Sequence, residues 1–399
     1  MRTRLRSIAA NLALAAFSTL LVLLAAELVL RVLSRTTRGG KEQRERNRYT
    51  EYDPVLGWRK TPGAAVVYDR REYHVEYRVN RQGLRGPDRP YEKASGVARV
   101  LALGDSFVEA FMVEDAQTVT ARTEASFAAR GCRVEVINGG TVGYSTDQEY
   151  LFYRDEGRKY APDAVVVFVF QNDIPYLAIG EYLGYPKPQL DFSTEPPTVA
   201  NEPVPRYEAP ALAEAAAPEP VPSFVLEFVK SALERTSART YNRLARAGLW
   251  EPLRQLPMND EIQLFHVPEL GHLRPAWSAF TWTLQTLNKA VAAAGGRLVV
   301  AYVPGRMEVN PRTWELTEAR YGLDPSAYDA KAVANRVRYI TGRLAIPSID
   351  LTEPLAHADG ALTPTYFQTD SHWNARGQDI AGKAISDYLA QSSLVPNCR

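Results

Sequence analysis

The sequence predicts an α/β protein with a five-stranded parallel sheet covered by helices on both faces. From residue 99 onward, short apolar runs alternate with amphipathic segments, and five such β–α units follow one another. The run AVVVFVF (164–170) is apolar at every position, which is typical of a strand covered on both faces. This alternation indicates a doubly wound, three-layer α/β/α sandwich.

The five units can be assigned in chain order. The predicted strands are 99–103, 134–137, 164–170, 297–303 and 346–350, and the predicted helices are 119–130, 146–160, 275–294, a segment that starts at Asp324-Pro325, and 374–391. Thr146 can cap the second helix, because Glu149 stands three residues further on, as in a capping box. Asp324 and Pro325 supply an N-cap and a proline at the first helical position.

The segments outside these units define the domain organisation. The predicted order is a cytoplasmic tail (1–6), a transmembrane anchor (7–30), a linker (31–50), a small β-rich lead-in (51–97) and a main domain (98–395). In the lead-in, apolar and charged residues alternate from Tyr73 to Val79, which predicts a half-exposed strand. Residues 177–270 contain many prolines and a low-complexity run, so we expect an insertion or a lid within the main domain.

The segment from Ser7 to Leu30 is almost wholly apolar. As a helix, its 24 residues span about 36 Å, which exceeds the hydrocarbon core of about 30 Å. Glu27 is the exception, and it stands four residues before Arg31, the helical pairing distance. A cleaved signal peptide is the alternative, but the apolar region is long for one and no cleavage site stands out. The sequence therefore predicts an uncleaved anchor.

Basic residues stand on both sides of this segment. Arg2, Arg4 and Arg6 precede it and favour a cytoplasmic N-terminus, whereas the seven basic residues between 31 and 48 favour the opposite orientation by count. A short basic tail before an apolar run is typical of an export signal. We therefore expect the N-terminus inside and the main domain on the periplasmic or extracellular face.

Composition excludes several other classes. The formal net charge of +1 does not provide the basic field of a nucleic-acid-binding protein. The two cysteines form no CxxC pair or Cys/His cluster, so we expect no metal site, and nothing implies a cofactor. Cys398 is the penultimate residue, and because chain ends are usually mobile, the sequence does not favour a disulfide with Cys132.

Four short blocks carry polar residues after predicted strands or before the last helix. They are GDSF (104–107), NGGTVGYS (138–145), FQND (170–173) and TDSHWNARG (369–377). In this order the blocks resemble those of the SGNH, or GDSL-type, hydrolases, and the resemblance covers roughly residues 98–178 and 275–392. It implies a flavodoxin-like three-layer fold and a serine enzyme that acts on esters.

The resemblance also implies roles for the residues of the blocks. Ser106 would attack the ester carbonyl, His372 would take its proton and return one to the leaving alcohol, and Asp370 would hold the imidazole tautomer. Acyl transfer needs such a nucleophile, base and orienting carboxylate. The N–H groups of Ser106 and Gly143 and the side-chain amide of Asn172 would form the oxyanion hole.

Other residues of these loops are predicted to support the site or to contact substrate. The supporting residues are Gly104, Asp105, Asn138 and Asp173, and the substrate candidates are Gln171, Trp373 and Arg306. No residue reads a sugar directly, so the preference for a glycan rests on the anchor and on the family resemblance.

Three departures from common patterns bear on these assignments. Phe170 stands where similar proteins often have a glycine, which changes the backbone near the oxyanion site. Asp370 precedes His372 by two residues where a spacing of three is common, and this Asp-x-His-Trp form looks like one in extracytoplasmic proteins that O-acetylate alginate and related polysaccharides. The block GDSFV is not a G-x-S-x-G elbow, which disfavours a standard α/β-hydrolase.

These observations predict a membrane-anchored serine esterase that removes acetyl or another small acyl group from an extracytoplasmic glycan. The first alternative is an O-acyltransferase that uses the same triad to modify an exopolysaccharide, since both reactions share an acyl-enzyme. The second alternative is a catalytically inactive glycan-binding or scaffold protein, which the intact Ser–His pair disfavours. The expected partners are an acyl ester or acylated glycan, the membrane, and other proteins of a polysaccharide-modification system.

Overall fold

The structure is a computed structural model that describes residues 14–15, 17–19, 21–29, 48–182, 184–206, 223–250, 258–360, 362–396 and 398. The chain divides into two compact units, one of Met1–Gln43 with Pro210–Gln255 and one of Arg44–Ala209 with Leu256–Arg399. The second unit contains the lead-in and all four sequence blocks. The first unit contains the apolar N-terminal segment and the middle of the predicted insertion.

The lead-in consists of two antiparallel hairpins. Their strands are β1 (Thr50–Asp53), β2 (Gly57–Lys60), β3 (Ala65–Asp69) and β4 (His74–Arg78). Strands β3 and β4 alternate strictly between exposed and buried residues, as the alternating sequence predicted. Beyond β4, the backbone of Arg85 bridges to Asn138 at the edge of the main sheet, so the lead-in covers an edge that would otherwise be open to pairing.

The remaining strands follow in the second unit. They are β5 (Ala98–Leu103), β6 (Val134–Asn138), β7 (Ala164–Val169), the two-residue strands β8 (Glu181–Tyr182), β9 (Tyr185–Pro186), β10 (Leu190–Asp191) and β11 (Thr198–Val199), then β12 (Arg297–Tyr302) and β13 (Ser348–Asp350). The main sheet has the order β13-β12-β7-β5-β6 and is parallel throughout. The predicted five-stranded parallel sheet is confirmed. The order is flavodoxin-like, with its switch point between β5 and β7.

Helices cover both faces of this sheet. In chain order they are Ser106–Glu109, Val119–Ala129, Thr146–Asp155, Asp173–Tyr176, Asp260–Gln263, Arg274–Ala293, Arg306–Val309, Pro311–Tyr321, Ala332–Arg343, Thr352–Ala358 and Ala375–Gln391. Alternate strand residues such as Val165 and Val166 enter two different buried clusters, one with Phe280 and one with Phe127. Because successive strand side chains point to opposite faces, each cluster fills the space between one face of the sheet and the helices that cover it.

Two predicted helix starts were wrong. No helix begins at Asp324-Pro325, because the Asp324 carboxylate accepts the Ser326 N–H at 2.9 Å in a turn, and the helix starts at Ala332. Thr146 does not cap the second helix, since it is the first helical residue and Ser145 precedes it as N-cap. That helix also ends at Asp155, and a 3-10 turn continues to Tyr160.

The expectation for the two cysteines was also wrong, because Cys132 and Cys398 form a disulfide. The chain leaves the last helix Ala375–Gln391 and places Leu394, Val395 and Cys398 in the buried cluster that also holds Phe127. Leu394, Val395 and Cys398 are therefore packed against the main domain. Burial of these last residues brings Cys398 to the end of the helix that precedes Cys132.

Within the part of the chain that the structure describes, no helix is long and apolar enough to cross a membrane. Residues 21–29 are helical. The rest of the predicted anchor, 7–30, lies partly outside the described residues, as do the tail 1–6 and most of the linker 31–50. The anchor therefore stays a prediction.

Candidate active site

The nucleophile candidate lies on a sharp turn at the end of the central strand β5. Ser106 is the first residue of the short helix Ser106–Glu109, and Asp105 caps that helix by accepting the Phe107 N–H at 2.9 Å. A Cβ on Gly104 would stand 2.5 Å from the Val108 side chain, so the turn needs glycine there. Ser106 therefore lies at the switch point of the sheet, where ligands bind in this architecture.

His372 joins Ser106 to Asp370 in one hydrogen-bonded chain. The Nε2 atom of His372 is 2.7 Å from the Ser106 Oγ, and its Nδ1 is 2.5 Å from the Asp370 Oδ1. The Asp370 carboxylate also accepts the His372 backbone N–H at 2.9 Å. A spacing of two residues is thus sufficient for the carboxylate to reach the imidazole, because the loop turns back on itself between them.

The surroundings of His372 fix its ring and the charge of its partner. The rings of Phe107 and Phe111 pack against the imidazole at centroid distances of 4.8 and 5.9 Å. Burial alone would raise the pKa of the Asp370 carboxyl, but its hydrogen bonds to His372 and the charge of the imidazole outweigh burial and lower that pKa. Asp370 is therefore ionised at neutral pH and can hold the Nδ1 proton.

The three proposed oxyanion donors lie on neighbouring strand ends. The Asn172 Nδ2 donates to the Asp105 Oδ2 at 3.3 Å, which ties the end of β7 to the nucleophile turn. Burial raises the pKa of Asp105, because it outweighs the hydrogen bond from the Phe107 N–H, which acts to lower that pKa. Gly143 adopts φ +76°, and a Cβ there would stand 2.3 Å from the Tyr182 ring, so this position requires glycine.

The loop that carries Gly143 packs directly on the nucleophile turn. The Thr141 N–H donates to the Gly104 carbonyl at 3.0 Å. A Cβ on Gly140 would stand 2.4 Å from the Glu109 N, so only glycine permits this approach. Asn138 supports the loop from below, since its Nδ2 donates to the Val108 carbonyl at 2.7 Å and its Oδ1 accepts the Gly140 N–H at 3.1 Å.

Asp173 supports the end of β7. Its Oδ2 accepts the Phe170 N–H at 2.8 Å, which folds the FQND block back on itself. Burial, followed by the charge of Asp105, raises the pKa of Asp173 well above its ordinary value. Phe170, which replaces the glycine common in similar proteins, packs on Phe107 with ring centroids 4.8 Å apart. The departure at Phe170 is thus absorbed by an aromatic contact beside the nucleophile.

The three predicted substrate contacts fare differently. The prediction for Trp373 was wrong, because this residue is only 1% exposed and its ring packs edge-on against Phe107 in the core. Gln171 is buried and donates to Glu261 at 3.4 Å, so it links the block to the insertion. Arg306 is half-buried and reaches the Phe367 carbonyl at 3.5 Å, close to the loop of His372.

Sequence reasoning missed a set of buried charges that the lead-in contributes beneath the site. The fully buried guanidinium of Arg85 donates to the Glu109 carbonyl at 2.9 Å, to the Ala110 carbonyl and to the Asp115 carboxylate at 2.7 Å. The buried Glu109 carboxylate accepts the Tyr77 hydroxyl at 2.8 Å. These contacts pin the C-terminal end of the nucleophile turn, where backbone carbonyls have no helical partner.

A second contact of the lead-in holds the oxyanion loop. The Lys60 Nζ donates to the Gly140 carbonyl and, at 2.9 Å, to the Thr141 hydroxyl. Burial lowers the pKa of Lys60 to about 8. The sequence did hold a signal for Lys60, because it stands two residues from Trp58 in a strand and so shares its buried face.

A third contact holds the loop of His372. The Glu72 carboxylate accepts the Gln368 N–H at 2.8 Å and the Thr369 N–H at 2.7 Å. Glu72 is only half-buried, whereas Arg85 and Lys60 are buried. The lead-in therefore contacts all three parts of the site, although it precedes every sequence block that indicated the chemistry.

No group of three or more His, Cys, Asp or Glu side chains within the described residues is arranged to hold a metal ion. The functional groups that the described loops bring together are a hydroxyl, an imidazole and a carboxylate in series, with amide donors beside them. Such an arrangement can form and resolve an acyl-enzyme.

Comparison with known proteins agrees with this chemistry. Residues 273–397 match a family model described as "SGNH hydrolase-like domain, acetyltransferase AlgX". The match includes Asp370 and His372, and Ser106 precedes it. The comparison with curated proteins gives no match.

Two solved structures are similar to this chain at low identity. A lipase/acylhydrolase from Enterococcus faecalis is 14% identical, with 73% of this chain and 95% of that chain covered and a TM-score of 0.37. A catalytic mutant of an acetylxylan esterase from Geobacillus stearothermophilus is 12% identical, with 73% and 94% covered and a TM-score of 0.37.

Residues 273–397 therefore match an SGNH hydrolase-like domain. Over these residues, which include the block TDSHWNARG, the family model confirms the resemblance read from the sequence. The protein is an enzyme that acts on ester bonds, as a hydrolase or as an acyltransferase.

Proposed function

We propose that the protein is a membrane-anchored, extracytoplasmic serine esterase that removes acetyl or another small acyl group from a glycan. The observation that carries the proposal is the hydrogen-bonded chain in which the His372 imidazole lies 2.7 Å from the Ser106 hydroxyl and 2.5 Å from Asp370. That spacing is the one required for proton transfer between a serine nucleophile and its base.

The reaction follows from these positions in two steps. The Ser106 Oγ attacks the ester carbonyl carbon while its proton passes to the His372 Nε2, and the carbonyl oxygen becomes an oxyanion. When the ester bond breaks, the leaving alcohol takes that proton and an acyl-serine ester remains. Water then attacks the acyl group through the same base, which releases the carboxylic acid and restores the Ser106 hydroxyl.

The oxyanion donors stabilise the charge that develops in each step. The N–H groups of Ser106 and Gly143 and the amide of Asn172 are assigned to this role. The hydrogen bond from Asn172 to Asp105 and the packing of the Gly143 loop on the nucleophile turn support the assignment. Removal of one such donor typically costs about 3–4 kcal/mol in the transition state.

The location outside the cytoplasm has support independent of the apolar N-terminus. The Cys132–Cys398 disulfide closes the main domain, and structural disulfides persist mainly in oxidising compartments. With an N-terminus inside, the anchor 7–30 would leave the main domain on the periplasmic or extracellular face.

An O-acyltransferase that acts on an exopolysaccharide is the second candidate. The description of the matching family model, an acetyltransferase, favours it. The two candidates share the first step and differ only in whether water or a sugar hydroxyl resolves the acyl-enzyme. The intact chain from Ser106 to Asp370 disfavours an inactive glycan-binding protein, because binding alone would not preserve a proton-transfer geometry.

The first test is hydrolysis of an aryl acetate by the full-length protein in detergent micelles. Ser106→Ala and His372→Ala should each lower kcat/KM by at least about 10³-fold. The matched control is Ser371→Ala, which removes an exposed hydroxyl between Asp370 and His372 and should leave turnover within about twofold of the wild type. Equal turnover in all four proteins would exclude the assigned nucleophile.

A second measurement separates the two candidates. Addition of an unacetylated polysaccharide to the same assay leaves a hydrolase unchanged, whereas an acyltransferase moves the acetyl group to the polysaccharide. Release of acetate and of acetylated polymer should be quantified together. Transfer that exceeds hydrolysis and disappears in Ser106→Ala would replace the esterase proposal with the acyltransferase.

A further inference from the structure

The helix Phe224–Thr236, in the first compact unit, exposes apolar side chains. Leu226 is 38% exposed, Phe228 62% and Val229 41%. At 100° per residue, the exposed Phe228 and Val229 lie with the half-buried Val225 on one arc of about 100°, and Leu226 lies beside that arc. Single exposed apolar residues are ordinary, but a contiguous exposed stripe on a helix marks a binding surface.

The start of this helix is attached to the apolar N-terminal segment. The Glu27 Oε2 accepts the Ser223 hydroxyl at 3.0 Å and the Val225 N–H at 2.9 Å. Glu27 stands three residues before the end of the apolar stretch 7–30, a distance of about 4.5 Å along a helix. If that stretch spans a bilayer, the helix begins where hydrocarbon meets the headgroups.

The next helix, Ala238–Arg246, carries a row of basic residues. Arg239, Arg243 and Arg246 are exposed and spaced by four and three residues, which places them on one helix face. Tyr241 and Ala245 lie buried on another face of the same helix. Segments that lie in the interface of an anionic membrane combine exposed apolar side chains with exposed arginines, and these two helices together supply both.

We propose that these two helices form a membrane-interface segment that lies flat on the outer leaflet of the bilayer crossed by residues 7–30. The apolar arc of Phe224–Thr236 enters the acyl boundary, and the arginine row of Ala238–Arg246 meets anionic lipid headgroups. The proposal rests on the anchor in the proposed function. It adds a second attachment to the membrane, made by residues from the middle of the chain.

The depth of the first helix can be measured directly. Full-length Phe228→Trp is reconstituted in vesicles of phosphatidylcholine and phosphatidylglycerol (about 3:1) whose acyl chains carry bromine. The fluorescence that this tryptophan adds to that of the wild type should be quenched. The matched control is Glu227→Trp, which lies about 150° from the centre of the apolar arc and should add unquenched fluorescence.

Equal and unquenched signals from both variants, in protein that resists carbonate extraction from the vesicles, would overturn the interface segment and leave the anchor standing. Protein that the carbonate wash removes would overturn the anchor and this proposal together. An unquenched Phe228→Trp signal that shifts with protein density would assign the stripe to a second copy of the chain, which also overturns the proposal.

The arginine row has its own test. Arg243→Glu combined with Arg246→Glu should lower the quenching of Phe228→Trp at least twofold in vesicles with phosphatidylglycerol. Vesicles of pure phosphatidylcholine should show little difference between the two proteins. A loss of the same size in both vesicle types would contradict a role for anionic headgroups. Unchanged aryl acetate turnover shows that each variant is folded.

Discussion

The two loops that bring Ser106 and His372 together are held in opposite ways. The nucleophile turn is wholly buried, and its end is pinned by the guanidinium of Arg85, whose side chain is 0% exposed. The loop of His372 is open to solvent, with 29% of the Asp370 side chain and 23% of the His372 side chain exposed. Its brace is the half-buried carboxylate of Glu72.

The difference follows from what water does to a charge. A buried guanidinium must be paired, so removal of its partners or of the charge itself is costly. A solvent-exposed carboxylate is screened, and its hydrogen bonds contribute little. The nucleophile turn is therefore held by buried pairings, whereas the loop of His372 is held in part by contacts that water can reach. Changes beneath Ser106 should act on stability, and changes around His372 should act on rate.

The largest effect is expected where the chemistry depends on one half-buried carboxylate, that of Asp370. Asp370→Asn keeps the volume but cannot stabilise the imidazolium, so kcat should fall by about 10³–10⁴-fold. The unfolding free energy at neutral pH should change far less. Stopped-flow and steady-state assays with an aryl acetate give the first quantity, and urea denaturation gives the second.

The stability contribution of Asp370 should also depend on pH in a defined direction. The folded pKa of Asp370 is lowered, so its contribution is present above the unfolded pKa of about 3.9 and is lost as pH falls through the folded value. The unfolding free energies of wild type and Asp370→Asn should therefore converge in acid. A gap between them that persists at pH 2 would contradict an ionised Asp370.

The second largest effect is expected beneath the nucleophile. Arg85→Met keeps much of the apolar stem but removes the donors to three buried carbonyls, those of Glu109, Ala110 and Val113. It also removes the partner of the Asp115 carboxylate. The unfolding free energy should fall by about 3–5 kcal/mol. Arg78→Met, on the exposed face of β4 and 61% exposed, is the control and should change it by about 0.5 kcal/mol at most. Equal effects in urea denaturation would mean that Arg85 is not a brace.

The third effect concerns Lys60 under the oxyanion loop. Its folded pKa is lowered to about 8, so between about pH 8 and pH 10.5 the unfolded chain binds more protons and stability rises with pH. The wild type should gain about 3 kcal/mol over Lys60→Met across this window. Lys383→Met, on the exposed side of the last helix, should follow the wild type. Parallel curves for wild type and Lys60→Met would show that Lys60 titrates as it does in water.

The same contrast explains which parts of the molecule could be predicted from sequence. The sheet was predictable because buried parallel strands are long apolar runs, as in β7. Ser106, His372 and Asp370 were predictable because acyl transfer restricts residue types in short blocks. Both signals are local in the chain, so they need no knowledge of what packs against them.

The braces depend on pairings between distant residues, which a single sequence does not reveal. Glu72 and Thr369 are 297 residues apart, and Cys132 and Cys398 are 266 apart. Trp373 beside His372 suggested a substrate contact, yet packing against Phe107 buries it. A local motif gives the residue type at a site, whereas burial decides whether that residue faces substrate or core.

The smallest effect is expected at Glu72, and it tests whether the loop of His372 is adjustable. Glu72→Gln keeps the side-chain length but removes the charge that accepts the Gln368 and Thr369 N–H groups. Because this brace is half-exposed, the unfolding free energy should fall by no more than about 1 kcal/mol. The base would be held less firmly, so kcat should fall by about 3- to 10-fold with KM unchanged.

The control for Glu72 is Glu76→Gln in the same hairpin. Among the described side chains, the Glu76 carboxylate contacts Arg78 at the surface, and it accepts no hydrogen bond from the loop of His372. Hydrogen bonds from Thr369 and Gln368 outweigh burial and lower the pKa of Glu72, so the rate advantage of wild type over Glu72→Gln should persist at pH 5 and shrink only in stronger acid. Identical kcat values for Glu72→Gln and Glu76→Gln would mean that the loop holds its own geometry, and the contrast between a fixed nucleophile and a braced base would then rest on Asp370 alone.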